Sequence, residues 1–412
     1  MDDQNKNLLL ATALSFAVIL IWFVLFPPPE PTEVDPSDPA VTSAPVASTP
    51  TDAASGTTET AQVAEAAADT PRVAIETARV TGSISLLGGR IDQLSLKNYR
   101  ESLEPDADIV TVLSPIGQPH AYYALYGWAP GMGVTLDDVP GANTMWQLES
   151  GETLSPDAPV TLVWDNGRGL TFRRQIAIDE NFMFTVTQSV QNTGTETASM
   201  APYGIIARHG EPEGLKNFFI LHEGLVAMAD GTLTETDYGD MPEFEFNERE
   251  GARAEVTQVT ENGWIGFTDH YWMTTLVPEQ GKPYKQVLKY VPTSGIYQAE
   301  VRPPAIALAA GAEASSTIQL FAGAKEWATI RAYEIEGGIP GFLDSIDWGW
   351  FYFLTKPIFA VLHWLNAMIG NMGLAIIALT FFLKFLVLPL AYKSYVSMAR
   401  MKELQPEMEA IK

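Results

Sequence analysis

Residues 372–391 read MGLAIIALTFFLKFLVLPLA, an apolar run interrupted by one charge, Lys384. At about 1.5 Å per residue a helix of this length covers the ~30 Å hydrocarbon core of a bilayer. The stretch therefore decides the class of the chain: an integral membrane protein. A charge at the bilayer centre costs roughly 2.5–3.5 kcal/mol even on a lenient insertion scale. Snorkelling, in which the lysine stem carries its ammonium to the headgroups, is the bland reading. Lys384 lies about eight residues, or ~12 Å, from the end of the run, about twice what a lysine stem covers comfortably. The reading this favours is a lysine facing a wet, polar cavity, with Thr380 four residues earlier on the same face.

Upstream lies a second apolar stretch, Trp348 to Ile369. Its Trp350, Phe351, Leu354, Ile358, Val361, Leu362, Leu365 and Ile369 recur at three- and four-residue steps, while Tyr352, Lys356, His363, Asn366 and Gly370 gather elsewhere. Trp348, Trp350 and Trp364 suit headgroup depth, so the stretch reads as an amphipathic helix lying in the interface. Topology agrees. If it spanned, the next segment would export Lys393, Arg400, Lys402 and Lys412; if it lies flat, those charges reach the cytoplasm, as the positive-inside rule prefers.

The chain opens with a third apolar stretch, Leu8 to Phe26, which carries no charge. It is longer than a usual signal-peptide core of ~7–15 residues, and bulky Trp22, Phe23, Leu25 and Phe26 run into three prolines. It reads as an uncleaved anchor with a cytoplasmic N-terminus. Residues 27–72 are rich in Pro, Ala, Thr, Glu and Asp and read as a flexible acidic linker.

From 73 to 335 the pattern changes to strands. Arg79 to Leu96 reads as a hairpin turning at Gly88-Gly89. Phe182 to Gln191 alternates with a period of two; Val160 to Trp164, Gln286 to Val291, Tyr297 to Val301 and Ser315 to Phe321 are further strand-like runs. The expectation is a large exported all-β domain, a sandwich. Residues 336–370 then hold the interfacial helix, 371–391 the spanning helix and 392–412 a cytoplasmic segment. Residues of about 27–370 are thus expected on the exported side of a multi-pass membrane protein.

Composition narrows the function. A net charge of −25 over 412 residues argues against a nucleic-acid partner, and the absence of cysteine excludes disulfides and thiolate metal sites. His120, His209, His222 and His270 show no metal-ligand spacing, and His222-Glu223, if adjacent on a strand, would point to opposite faces. With no phosphate loop or nucleophile elbow, neither a catalytic residue, a metal nor a cofactor is expected.

The run Asp347-Trp348-Gly349-Trp350, Lys356-Pro357-Ile358-Phe359, Gly370-Asn371, Thr380 to Lys384, Pro389-Leu390, and then Tyr392 to Met401 with Leu404-Gln405-Pro406-Glu407-Met408, resembles the YidC/Oxa/Alb family of membrane protein insertases in its Gram-negative form. Gly263-Trp264 with His270-Tyr271 resembles it too. The resemblance implies a β-supersandwich for the exported domain and places Lys384 where the family has its basic groove residue, arginine in most Gram-negative relatives. It implies ATP-independent insertion of nascent membrane proteins from a polar groove into the lipid bilayer, in company with the Sec translocon. It also implies that Tyr395, Met398, Arg400, Met401, Gln405 and Pro406 lie in the first arm of a cytoplasmic helical hairpin. Ribosome contact is left to parts beyond Lys412. A sequence stopping inside that hairpin is expected to be a fragment, unable to insert substrates alone. The competing readings are an anchored, mutarotase-like carbohydrate-binding protein and a scaffold for the translocon; neither uses Lys384.

Overall fold

The computed structural model describes residues 70–104, 106–212, 214–215, 221–349 and 351–410, with side chains to Met401. The expected N-terminal anchor, residues 27–69 of the linker, and Trp350 lie outside the described residues.

Alternating apolar residues build two large, almost wholly antiparallel sheets. At the centre of the first, Ala198–His209 pairs with Tyr122–Pro130 on one side and Ile296–Arg302 on the other. At the centre of the second, Met183–Asn192 lies between Leu170–Ile178 and Glu313–Ala324. Among the described residues the sheets hold twelve and nine strands, which makes this a large all-β sandwich. Phe184, Val186 and Val190 point into the core while Thr185, Thr187 and Ser189 are half-exposed, the period of two expected from the sequence. Between the sheets Phe172 meets Trp128 with ring centroids 6.2 Å apart, and Phe267 meets Tyr122 at 6.4 Å.

The first hairpin departs from the sequence reading. Val80–Ser85 pairs with Arg90–Arg100, and Ser85 opposes Arg90, so the turn spans four residues rather than two. The reason is competition for backbone partners: Leu86 N–H bonds Pro71 C=O, Gly88 N–H bonds Thr144 C=O, and Leu86 C=O accepts from Trp146 N–H. Gly89 sits at φ +61°, and a Cβ there would lie 2.4 Å from Arg174. The Arg174 guanidinium, fully buried, donates to the carbonyls of Gly88 and Gly89 at 2.9 Å and lies over Trp146 at 4.5 Å. Burial lowers its pKa to about 10.

A second buried charge group locks the edge of the first sheet. Lys289 contacts Glu250 at 2.9 Å and Glu300 at 3.3 Å, and Arg302 grips both carboxylates. Burial opposes ionisation of Glu250, but hydrogen bonds from Arg302 and the charge of Lys289 outweigh it and hold the carboxyl at about 2. An acid depressed in the fold stabilises it above the unfolded pKa, and that contribution is lost as pH falls toward the folded value. Glu250→Gln should therefore flatten the acid limb of the urea-unfolding profile between pH ~4.5 and ~2. At pH 7 it should cost about 3–5 kcal/mol, the usual result of orphaning a buried partner. Parallel profiles for the two proteins would contradict this role.

Candidate functional site

The last strand ends at Ala324 and leads into a short helix, α1 (Trp327–Ile335), which precedes the two apolar helices. Ile330 of α1 is fully buried. The Tyr333 hydroxyl donates to Asp179 at 2.6 Å and accepts from Phe182 N–H at 3.2 Å. Glu326, just before α1, receives Arg79 and the Tyr99 hydroxyl. Beyond α1, Phe342 packs its buried ring against Trp264 and Phe321, with centroids 5.6 and 5.7 Å away. These contacts make the exit from the sandwich a fixed mount rather than a tether.

The next helix, α2 (Tyr352–Ile369), starts four residues later than the apolar pattern suggests. Gly349 takes a left-handed φ of +66°, its N–H bonded to the Asp347 carboxylate, while the Thr355 hydroxyl bonds Trp348 C=O. These turn the chain before the helix can begin. The sequence-selected interfacial residues have specific partners. Lys356 pairs with Asp344, and Trp348 donates from Nε1 to Leu343 C=O at 3.0 Å while its ring meets Phe359 at 5.6 Å. Trp364 is exposed at 59%, alongside Phe353, Met368 and Ile369. Sequence reasoning missed Trp327. Its ring lies 4.6 Å from His363 and 5.7 Å from Phe359, joining α1 to α2. Its only signal was its place at the boundary between strand and helix.

Near the junction Lys325 donates to the Thr268 hydroxyl at 2.9 Å. Burial lowers its pKa to about 8, although Asp269, Asp347, Glu223 and Glu235 act in the other direction. The His222 backbone N–H bonds Asp347, and its ring contacts Asp237 and Leu225 C=O at 3.0 and 2.8 Å. The argument that His222 and Glu223 oppose each other across a strand fails, because that strand begins at Gly224. His209 lies beside the Tyr123 hydroxyl, and the His270 ring rests on Tyr271. Among the described residues no group of three His, Asp or Glu is placed to hold a metal.

Gly370 ends α2 at φ +71° and Asn371 opens α3 (Met372–Ala410), its carboxamide oxygen accepting from Leu374 N–H at 3.1 Å. Glycine stop and asparagine start are adjacent, so α2 folds back against α3, burying Ala375 and Leu379. Residues 372–401 of α3 are long and apolar enough to cross a membrane, and among the described residues no other helix is. The helix runs without a break past Ala391, so Tyr395, Met398, Arg400, Met401, Gln405 and Pro406 continue the same rod. The first four have described side chains, and three of them, Tyr395, Met398 and Met401, are exposed apolar groups.

Lys384 is exposed on this helix, and the Thr380 hydroxyl bonds the Ile376 carbonyl at 2.8 Å. At about 100° per residue, Lys384 points ~140° away from Leu379 and ~180° away from Ala375. The lysine thus faces away from α2, and no described residue covers its side of the helix.

The comparisons with known proteins fit this division. The YidC periplasmic domain family matches residues 72–361, and the 60Kd inner membrane protein family matches 364–412. The Membrane protein insertase YidC of Dinoroseobacter shibae is 62% identical over the whole of this chain, which covers 69% of that protein. That of a Ruegeria species is 66% identical with the same coverage. The chain belongs to the YidC membrane protein insertase family. Its relatives are named for insertion rather than for a covalent reaction, so it is an inner-membrane insertase homologue and not an enzyme. The two YidC family regions meet inside α2, the helix Trp327 pins. Among solved structures, a galactose mutarotase related enzyme from Lactobacillus acidophilus is 11% identical with TM-score 0.42, covering 61% of this chain and 97% of that one. Likeness at that level carries no argument about what the sandwich binds.

If Trp327 and His363 hold α2 through ring contact, the double-mutant cycle of Trp327→Ala and His363→Ala should show coupling of about 0.5–1.5 kcal/mol in urea unfolding. A coupling of zero within error would mean the rings merely sit close.

Proposed function

We propose that this protein assists the insertion of nascent inner-membrane proteins through the face of α3 that carries Lys384 and Thr380, without nucleotide hydrolysis. The observation that carries this reading is geometric: the one charge within an apolar span faces away from the helix it packs on. A polar groove there lowers the cost of moving a substrate's polar segment partway across the bilayer. The Lys384 ammonium attracts acidic residues of that segment, and its apolar helix then partitions into lipid.

On this reading α2 lies in the periplasmic interface, supported by its exposed Phe353, Trp364 and Met368. The sandwich stands in the periplasm, and Arg400 and the continuation of α3 face the cytoplasm, with the N-terminus on the same side. Lysine carries the charge but not the planar fork of arginine, so a point charge is the working feature. The Sec translocon and the ribosome are proposed as further partners, the latter from the cytoplasmic side.

A photo-crosslinker at position 388, one turn from Lys384, should capture nascent membrane proteins in inner-membrane vesicles. One at 386, on the opposite side, should capture mainly lipid. A charge-assisted contact contributes about 1.5–3 kcal/mol, so Lys384→Ala should lower capture at limiting substrate about tenfold or more. Lys384→Arg should preserve it. Equal capture from 388 and 386, or no loss in Lys384→Ala, would overturn the assignment.

A further inference from the structure

Between α1 and α2 lies an open cavity of about 470 Å³, within the roughly 300–1,000 Å³ of small-molecule sites. Ala328, Ala332 and Ile335 of α1 face Ala360, Trp364 and Ala367 of α2 across it, an apolar wall built mostly from small residues. Its charged lining groups are Arg331 and Glu336, one of each sign, and His363 adds an imidazole ring. The Arg331 guanidinium lies over the Trp327 ring at 5.4 Å. Neither Arg331 nor Glu336 is paired with an opposite charge, in each other or elsewhere, among the described residues. The cavity's α2 wall is continuous with exposed Phe353, Trp364 and Met368, the surface read above as facing lipid.

The geometry points to a binding site for one phospholipid with an ethanolamine headgroup. An acyl chain fills the alanine-lined slot, which water would occupy at a cost in exposed apolar surface. The phosphodiester accepts from Arg331, whose five donors and planar fork suit phosphate. The primary ammonium then meets Glu336 on the same rim. The headgroup complements both charges at once. A glycerol headgroup leaves Glu336 beside a net anion, and a choline headgroup has no N–H to donate. A bound lipid would fasten α2 to the base of the sandwich through Trp327, at the place where the periplasmic and membrane parts join.

The proposal rests on the reading of α2 as an interfacial helix, and the two can fail separately. Photo-crosslinking from Met368, on the outer surface of α2, to any bilayer lipid reports that placement alone. The site itself is read by native mass spectrometry of the detergent-solubilised protein with dioleoyl-phosphatidylethanolamine, -phosphatidylglycerol and -phosphatidylcholine at equal concentration. Wild type should retain one phosphatidylethanolamine about tenfold more than either of the others, a difference of about 1.4 kcal/mol. Glu336→Gln should bring phosphatidylethanolamine down to the level of phosphatidylcholine, and Arg331→Gln should weaken all three. Because both groups are on the surface, these variants should melt as wild type does. A photo-crosslinker at Ala328 should capture phosphatidylethanolamine in the unsubstituted rim, while one at exposed Leu233 on the sandwich should not. Equal retention of the three lipids by wild type, or a phosphatidylethanolamine preference that survives Glu336→Gln, would overturn it.

Discussion

An ammonium group in hydrocarbon needs water, a counter-charge or a polar wall, and that requirement organises the membrane part of this protein. A lone segment in lipid must be helical to satisfy its own polar backbone, and α3 is a helix long and apolar enough for this over residues 372–401. Within residues 372–391 Lys384 is the one charge, on the side away from α2. Every other contact of α3 is a choice about which way that side points. The adjacent glycine stop and asparagine start between α2 and α3 fold one helix onto the other, and Ala375 and Leu379 fix the contact face.

The sandwich contributes a rigid base for this orientation. Its buried charges, Arg174 on the turn carbonyls of Gly88 and Gly89 and the Lys289–Glu250–Glu300–Arg302 group, find their partners within the sandwich, apart from the Arg174 Nε. They give the domain a specific packing rather than a chemistry. Toward the membrane the same domain presents Ile330, Tyr333 and Phe342 as anchors, and then the Trp327 ring and the Lys356–Asp344 pair as the hold on α2. The direction of α2, and through it the face of α3, is therefore set from the sandwich.

The membrane class, the β architecture and the long apolar helix that begins at Met372 were legible in the sequence because each rests on periodicity or apolar length, which are local. Phe184 and Val186 alternate wherever they are placed, and residues 372–391 are long enough in any context. What was not legible depended on distant backbone partners. The four-residue turn at Gly88-Gly89 arises from Pro71, Thr144 and Trp146, and the late start of α2 arises from Gly349 and Thr355. Trp348 read as a residue at headgroup depth and Lys356 as part of the polar face of the interfacial helix; their partners Leu343, Phe359 and Asp344 were not legible. Lys384 was found from its charge alone; the direction it faces required the packing of Ala375 and Leu379.

The central claim is that one face of α3 is wet within the membrane, and hydration of that face is the quantity to measure. The sequence has no cysteine, so single cysteines report cleanly. Positions 380 and 388 lie within ~40° of Lys384 around the helix, and 382 and 386 lie ~160° away. In inner-membrane vesicles, cysteines at 380 and 388 should react with a membrane-impermeant maleimide supplied from the cytoplasmic side, while those at 382 and 386 should not. Four equally unreactive positions would show a helix surrounded by hydrocarbon and contradict the groove.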